Sequence, residues 1–105
     1  MSRMLDNHPE ELSSFLKWQK KFPKKTFIYR SSDILFRLPG GSYTINRTYK
    51  GKFIVFEKSN TLWRLPRNVT YDSFDDVINA ILKASLDQLG DMHERLMVYV
   101  AEMDA

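Results

Sequence analysis

The sequence predicts an α+β fold: an antiparallel β-meander of four to five strands, covered on one face by C-terminal helices, with an N-terminal helix ahead of it. Three observations carry the prediction. Apolar residues recur at spacings of three and four near both ends of the chain, the period changes to two between residues 26 and 65, and tight-turn dipeptides punctuate that middle stretch. With 105 residues, 43% of them hydrophobic and 13% aromatic, the chain 1–105 suits one domain around a single core.

The first helix starts at Asn7 or His8, because Pro9 fits the first helical position and Glu10 and Glu11 suit the positive end of the helix dipole. Leu12, Phe15, Leu16 and Gln19 share a face that Phe22 continues, and Pro23 stops the helix. Lys17, Lys20, Lys21, Lys24 and Lys25 crowd its C-terminal end, where cations complement the dipole whether or not they also bind something.

Strands are predicted at 26–30, 33–38, 42–50, 52–58 and 61–65, all rich in Phe, Tyr, Ile, Val and Thr. The first two are either separate or one bent strand with a bulge near Ser31 and Ser32. Gly40-Gly41, Lys50-Gly51 and Ser59-Asn60 supply three successive hairpin turns, with Pro39 and Pro66 at strand ends where no ladder donor is lost.

Asp72 or Ser73 caps the second helix, Ser73-x-x-Asp76 being an approximate capping box. Phe74, Val77, Ile78, Ile81, Leu82, Leu86 and Leu89 are assigned to its apolar face. Gly90 ends it, and Asp91 with Glu94 opens a further helix presenting Met92, Leu96, Tyr99, Val100 and Met103. That helix has more apolar surface than a small sheet needs, so a homodimer through Met92 to Met103 is expected.

Charge is segregated along the chain. Thirteen Lys or Arg residues and two acids, Asp33 and Glu57, lie between Lys17 and Arg67, whereas eight acids face only Lys83 and Arg95 from residue 68 onward. A basic segment that coincides with aromatic strands fits a surface that meets phosphate. Single-stranded nucleic acid is held by cations that follow the phosphates and by rings on which bases stack. The expected binding residues are Lys24, Lys25, Arg30, Arg37, Arg47, Tyr49, Lys50, Lys52, Lys58, Trp63, Arg64 and Arg67. Aromatics also favour strands for packing alone, and Lys or Arg on strands suppresses aggregation.

The alternative is a protein-binding inhibitor or adaptor that covers a functional surface of a larger partner, with aromatics and Arg as anchors. Its acidic helical residues Asp72, Asp75, Asp76, Asp87, Asp91 and Glu94 would then imitate phosphate; otherwise they are a solvated helix face. A curved basic meander followed by an amphipathic helix is similar in outline to single-strand-binding transcriptional coactivators, the similarity covering 43–89 with its Lys50-Gly51-Lys52 turn. The same stretch looks like the three-stranded arm-site binding domains of phage integrases. The α-β-β-β-α order also occurs in double-stranded-RNA-binding domains, but Asp75 and Asp76 stand where those carry lysines. No residue role is carried over from any of them.

No enzymatic activity, metal or cofactor is expected. There is no cysteine, His8 and His93 lack ligand-spaced companions, and Asp72, Asp75 and Asp76 form a spacing common at helix starts. Gly40-Gly41 lacks the context of a phosphate loop, and the serines lie at caps and turns. With no apolar run at the N-terminus and none long enough to span a bilayer, a cytoplasmic location and no membrane partner are expected.

Overall fold

The computed structural model describes residues 3–89. They form α1 (Pro9–Lys21), β1 (Phe27–Tyr29), β2 (Ile34–Leu38), β3 (Gly41–Arg47), β4 (Phe53–Glu57) and α2 (Phe74–Leu89). The four strands make one antiparallel sheet in the order β1-β2-β3-β4, so the α+β meander is present. The expected helix break at Gly90, the helix after it and the dimer seam from Met92 to Met103 lie outside the described residues.

Of the two readings of residues 26–38 the separate strands are the one present, whereas the strand expected at 61–65 needs correction. Residues 26–38 are two strands joined by a turn, closed where Arg30 N–H donates to the Asp33 carbonyl (3.0 Å), so Ser31 and Ser32 belong to a turn and not to a bulge. Residues 61–65 are not a strand. Their burial alternates as a strand's does, with Thr61, Trp63 and Leu65 inward and Leu62 and Arg64 outward. Their N–H groups, however, go elsewhere: Leu62 to the Gly40 carbonyl (2.7 Å), Arg64 to the Gln88 side chain (2.7 Å) and Leu65 to the Glu57 carboxylate. Period two reports which side chains are buried; it does not say where the backbone donors find acceptors. The connection then returns along β4, where Phe53 and Tyr71 exchange both backbone hydrogen bonds at 2.8 Å.

Both helices pack on the same face of the sheet. Phe27 and Tyr29 from β1, Ile34, Phe36 and Leu38 from β2, Tyr43 and Ile45 from β3, and Phe53 and Val55 from β4 meet Phe15 and Phe22 of the α1 region and Phe74, Val77, Ile78 and Ile81 of α2. Aromatic rings dominate this core. Phe27 stacks on Phe36 at 4.4 Å between centroids, and Phe15 meets Phe27 and Phe74 edge-on, each at 5.5 Å. Such pairs add about 0.5–1.5 kcal/mol each beyond area burial.

The helices are also tied to one another. Ser73 Oγ accepts the Asp76 N–H (3.1 Å), so Ser73 caps α2 as expected. Glu11 of α1 supplies a second acceptor, taking the Phe74 N–H at 2.9 Å. Asp75 accepts from Trp18 Nε1 (2.6 Å) and Ser14 Oγ (3.3 Å). Carboxylates beside the first turn of α2 also suit its dipole.

The apolar stripes are narrower than predicted. Leu16 and Leu86 are exposed, whereas Ala84 and Ser85 of α2 are buried. At 3.6 residues per turn, Leu86 stands roughly 140° around the helix from Ile81, outside the face that meets the sheet. The core also takes in Leu5, ahead of α1, which is fully buried and donates its N–H to the Tyr29 hydroxyl (2.6 Å).

Tyr43 joins the sheet to the 61–65 segment, its buried hydroxyl donating to the Trp63 carbonyl. Burial, assisted by the nearby Glu57 carboxylate, pushes its phenol far above the usual value of 10.0. The unfolded chain therefore ionises first. The stability held by the neutral phenol is complete below about pH 10 and is lost as pH rises beyond it towards the higher folded value. Urea denaturation at a series of alkaline pH values is expected to show this decline in wild type. Tyr43→Phe should give a flatter profile and a neutral-pH loss of about 1 kcal/mol from the missing hydrogen bond. Equal alkaline slopes in the two proteins would assign the decline to other groups.

Candidate nucleic-acid interface

Strand alternation sends a second set of side chains to the face that no described helix covers. The register aligns Ile28, Leu35, Thr44 and Phe56 in one row across all four strands. Leu35 is buried at 6% exposure without belonging to the core cluster, whereas Phe56 is 56% exposed. This row is the middle of the open face, and Phe56 is its one exposed ring.

The next row toward the Gly40 turn carries Arg37, Ser42 and Lys58. Arg37 pairs with Ser42, the Arg37 N–H donates to the Thr26 carbonyl (2.8 Å), and the Lys58 N–H donates to the Ser42 carbonyl (3.2 Å). Lys24 and Lys25 are exposed just before Thr26, at the same end of the sheet, with Lys25 in a left-handed conformation at φ 71°. Four of the expected residues are therefore gathered there. Among the described residues none of them has an acidic partner within ion-pair distance.

Toward the opposite end the open face carries Asn46 opposite Ile54, then Thr48 beside Lys52, whose carbonyl accepts the Thr48 N–H (2.7 Å). Arg30 is exposed in the β1–β2 turn and pairs with Asp33, and Lys52 pairs with Asp72. Exposed pairs of this kind are worth about 0–1 kcal/mol, so a phosphate can compete for either cation. Tyr49, 95% exposed, and Lys50 project at the β3–β4 turn, the ammonium 5.8 Å from the ring centroid.

Arg64 and Arg67 stand beside the β4 edge instead of on the face. Both line a shallow depression of about 310 Å³ with Val55, Phe56 and Pro66. The Arg64 guanidinium lies 3.9 Å from Glu57 and donates to the Ser59 carbonyl at 3.2 Å.

Two expected residues leave the candidate site. Trp63 is 1% exposed in the core, so its ring has no face for a base. Arg47 lies at the end of β3 on the helix-covered side. Its guanidinium is 2.9 Å from His8 Nε2 and 6.0 Å from the Phe53 ring centroid. Alternation alone sorts both residues onto a face without showing which face the helices take.

Thr44 and Asn46 were missed as site residues. The alternation itself held their signal, since they point opposite to Tyr43, Ile45 and Phe53. Among the described residues no group of three or more His, Asp or Glu residues could hold a metal ion, and no helix is long and apolar enough to cross a membrane. Comparison with protein-family models, curated proteins and solved structures finds no match for the chain. What the site can do is read from its own residues.

Proposed function

We propose that this is a non-enzymatic cytoplasmic protein that binds single-stranded nucleic acid on the open face of its sheet. One observation carries the reading: both described helices pack on one face, leaving the other with an exposed Phe56 flanked by Arg37 and Lys58 and by the more distant Arg30 and Lys52. The helix acids Asp75 and Asp76 belong to the covered side, so they do not neutralise the Arg37 end. A base stacked on an aromatic ring contributes about 1–3 kcal/mol, and the flanking cations meet the phosphates on either side. Unlike a duplex, a single strand can turn its bases down onto such a platform.

The test is binding of a short labelled oligonucleotide across a salt series. Wild type should show log K falling with log salt. An Arg37→Ala, Lys58→Ala double variant should bind more weakly with a shallower slope, by about 0.7 for each phosphate that the variant no longer neutralises. Phe56→Ala should weaken binding by roughly 1–3 kcal/mol and leave the slope unchanged. Absence of binding at low salt would reject this reading. The same basic-apolar face would then be assigned to an acidic protein partner, for which Phe56 and the exposed Leu62 are the anchors.

A further inference from the structure

The connection from β4 to α2 is pinned back onto β4 at two places. At one the Leu65 N–H donates to the Glu57 carboxylate, and at the other Phe53 and Tyr71 exchange backbone hydrogen bonds at 2.8 Å. Val55, Phe56 and Glu57 of β4 and Arg64, Pro66 and Arg67 of the connection border the depression of about 310 Å³ found there. Alternation turns Phe56 to the open face and Val55 to the covered one, so the depression straddles the sheet edge beside the exposed Phe56 ring.

Register fixes which backbone groups of β4 face this side. The Lys52 carbonyl and the Lys58 N–H bond to Thr48 and Ser42 next to β3, so Ile54 and Phe56 turn their backbone groups the same way. Phe53 and Val55 turn theirs outward. Tyr71 takes those of Phe53, whereas the Val55 N–H and carbonyl have no backbone partner among the described residues. An open strand edge thus offers one donor and one acceptor side by side on the depression.

The charge around it is cationic. Arg64 and Arg67 meet one acid, Glu57, whose carboxylate is engaged by the Leu65 N–H and whose side chain is 15% exposed. Arg64 lies 3.9 Å from that carboxylate and donates to the Ser59 carbonyl at 3.2 Å, with half of its side chain in solvent. Arg67 is exposed and has no acidic partner among the described residues.

Resting on the nucleic-acid reading, we infer that this depression is a second nucleotide site, which takes the nucleotide next to the one stacked on Phe56. Arg64 and Arg67 meet its phosphate, where guanidinium groups form strong charge-assisted hydrogen bonds. The Val55 N–H and carbonyl meet the edge of its base, which a single strand leaves unpaired and a duplex does not. The bound strand therefore crosses β4 from the open face over the sheet edge, past Lys58, instead of running along the β-strands.

The test uses the full chain and hexathymidylate. In an NMR titration of wild type, the backbone amides of Thr44, on the open face, and of Arg67 and Asn68, across the depression from β4, should all shift. An Arg64→Ala, Arg67→Ala double variant should show a salt slope shallower by about 0.7 for each phosphate that it no longer neutralises. A Lys17→Ala, Lys20→Ala variant removes the same charge from α1 on the covered side and should keep the wild-type slope. Unmoved Arg67 and Asn68 amides beside a shifting Thr44, or equal slopes for the two double variants, would overturn the second site while leaving open-face binding in place. Failure of hexathymidylate to bind wild type would overturn the binding reading itself, and this inference with it.

Discussion

Trp63→Ala is expected to destabilise the protein by about 3–5 kcal/mol, the range for removing a fully buried aromatic side chain. The indole sits at 1% exposure in a segment with no strand pairing, so side-chain packing holds residues 61–65 in place. Gly40 faces it directly. A Cβ at that position would fall 2.6 Å from Trp63 Nε1, and Gly40 has φ +90°, so only glycine suits both the turn and the indole. The hydroxyl of Tyr43 holds the Trp63 carbonyl from below the sheet. Removing the ring thus opens a void between the Gly40 turn and β3, which the backbone cannot close without breaking that bond. Trp63 Nε1 has no partner among the described residues, so Trp63→Phe discards an unsatisfied donor together with part of the ring and should cost much less than Trp63→Ala. Urea denaturation of the three proteins checks this ordering. Equal losses would show that a phenyl ring recovers none of the packing and that the whole indole is needed, and a loss below about 1 kcal/mol for Ala would place the indole outside the core.

Ile81→Ala should cost about 2–5 kcal/mol, and Leu86→Ala less than about 0.5 kcal/mol. Both residues lie on α2, and both are large and apolar. Ile81 is fully buried against the sheet, whereas Leu86 is 53% exposed. The contrast isolates burial from helix propensity, since Leu→Ala on a solvent-facing turn slightly favours the helix. Denaturation midpoints at constant m-value measure it. Comparable losses at the two positions would mean that Leu86 is covered in solution by something beyond residues 3–89. A negligible loss at Ile81 would overturn the packing of α2 on the sheet.

The two helices, the antiparallel strands and their turns were legible in the sequence because each is a local signal. Pro9 with Glu10 and Glu11 starts α1, Ser73 caps α2, and the Gly40-Gly41 and Lys50-Gly51 pairs reverse the chain where φ is positive at Gly40 and Gly51. Alternation also separated the two faces of β3 and β4 correctly. It could not say which face the helices would take, because both faces carry aromatics and cations in the strand sequences. Only the packing of Phe15, Phe74 and Ile81 against Tyr43 and Phe53 decided that, and with it the fates of Arg47 and Trp63. Residues 61–65 show the same limit from another side. Their inward positions were readable, but their backbone donors went to Gly40, Gln88 and Glu57, partners distant in sequence. The cluster of Lys24, Lys25, Arg37 and Lys58 follows the same rule. Each cation was visible in the sequence, but their common position at one end of the face that no described helix covers depends on strand register, a property of pairs of strands and not of any one of them.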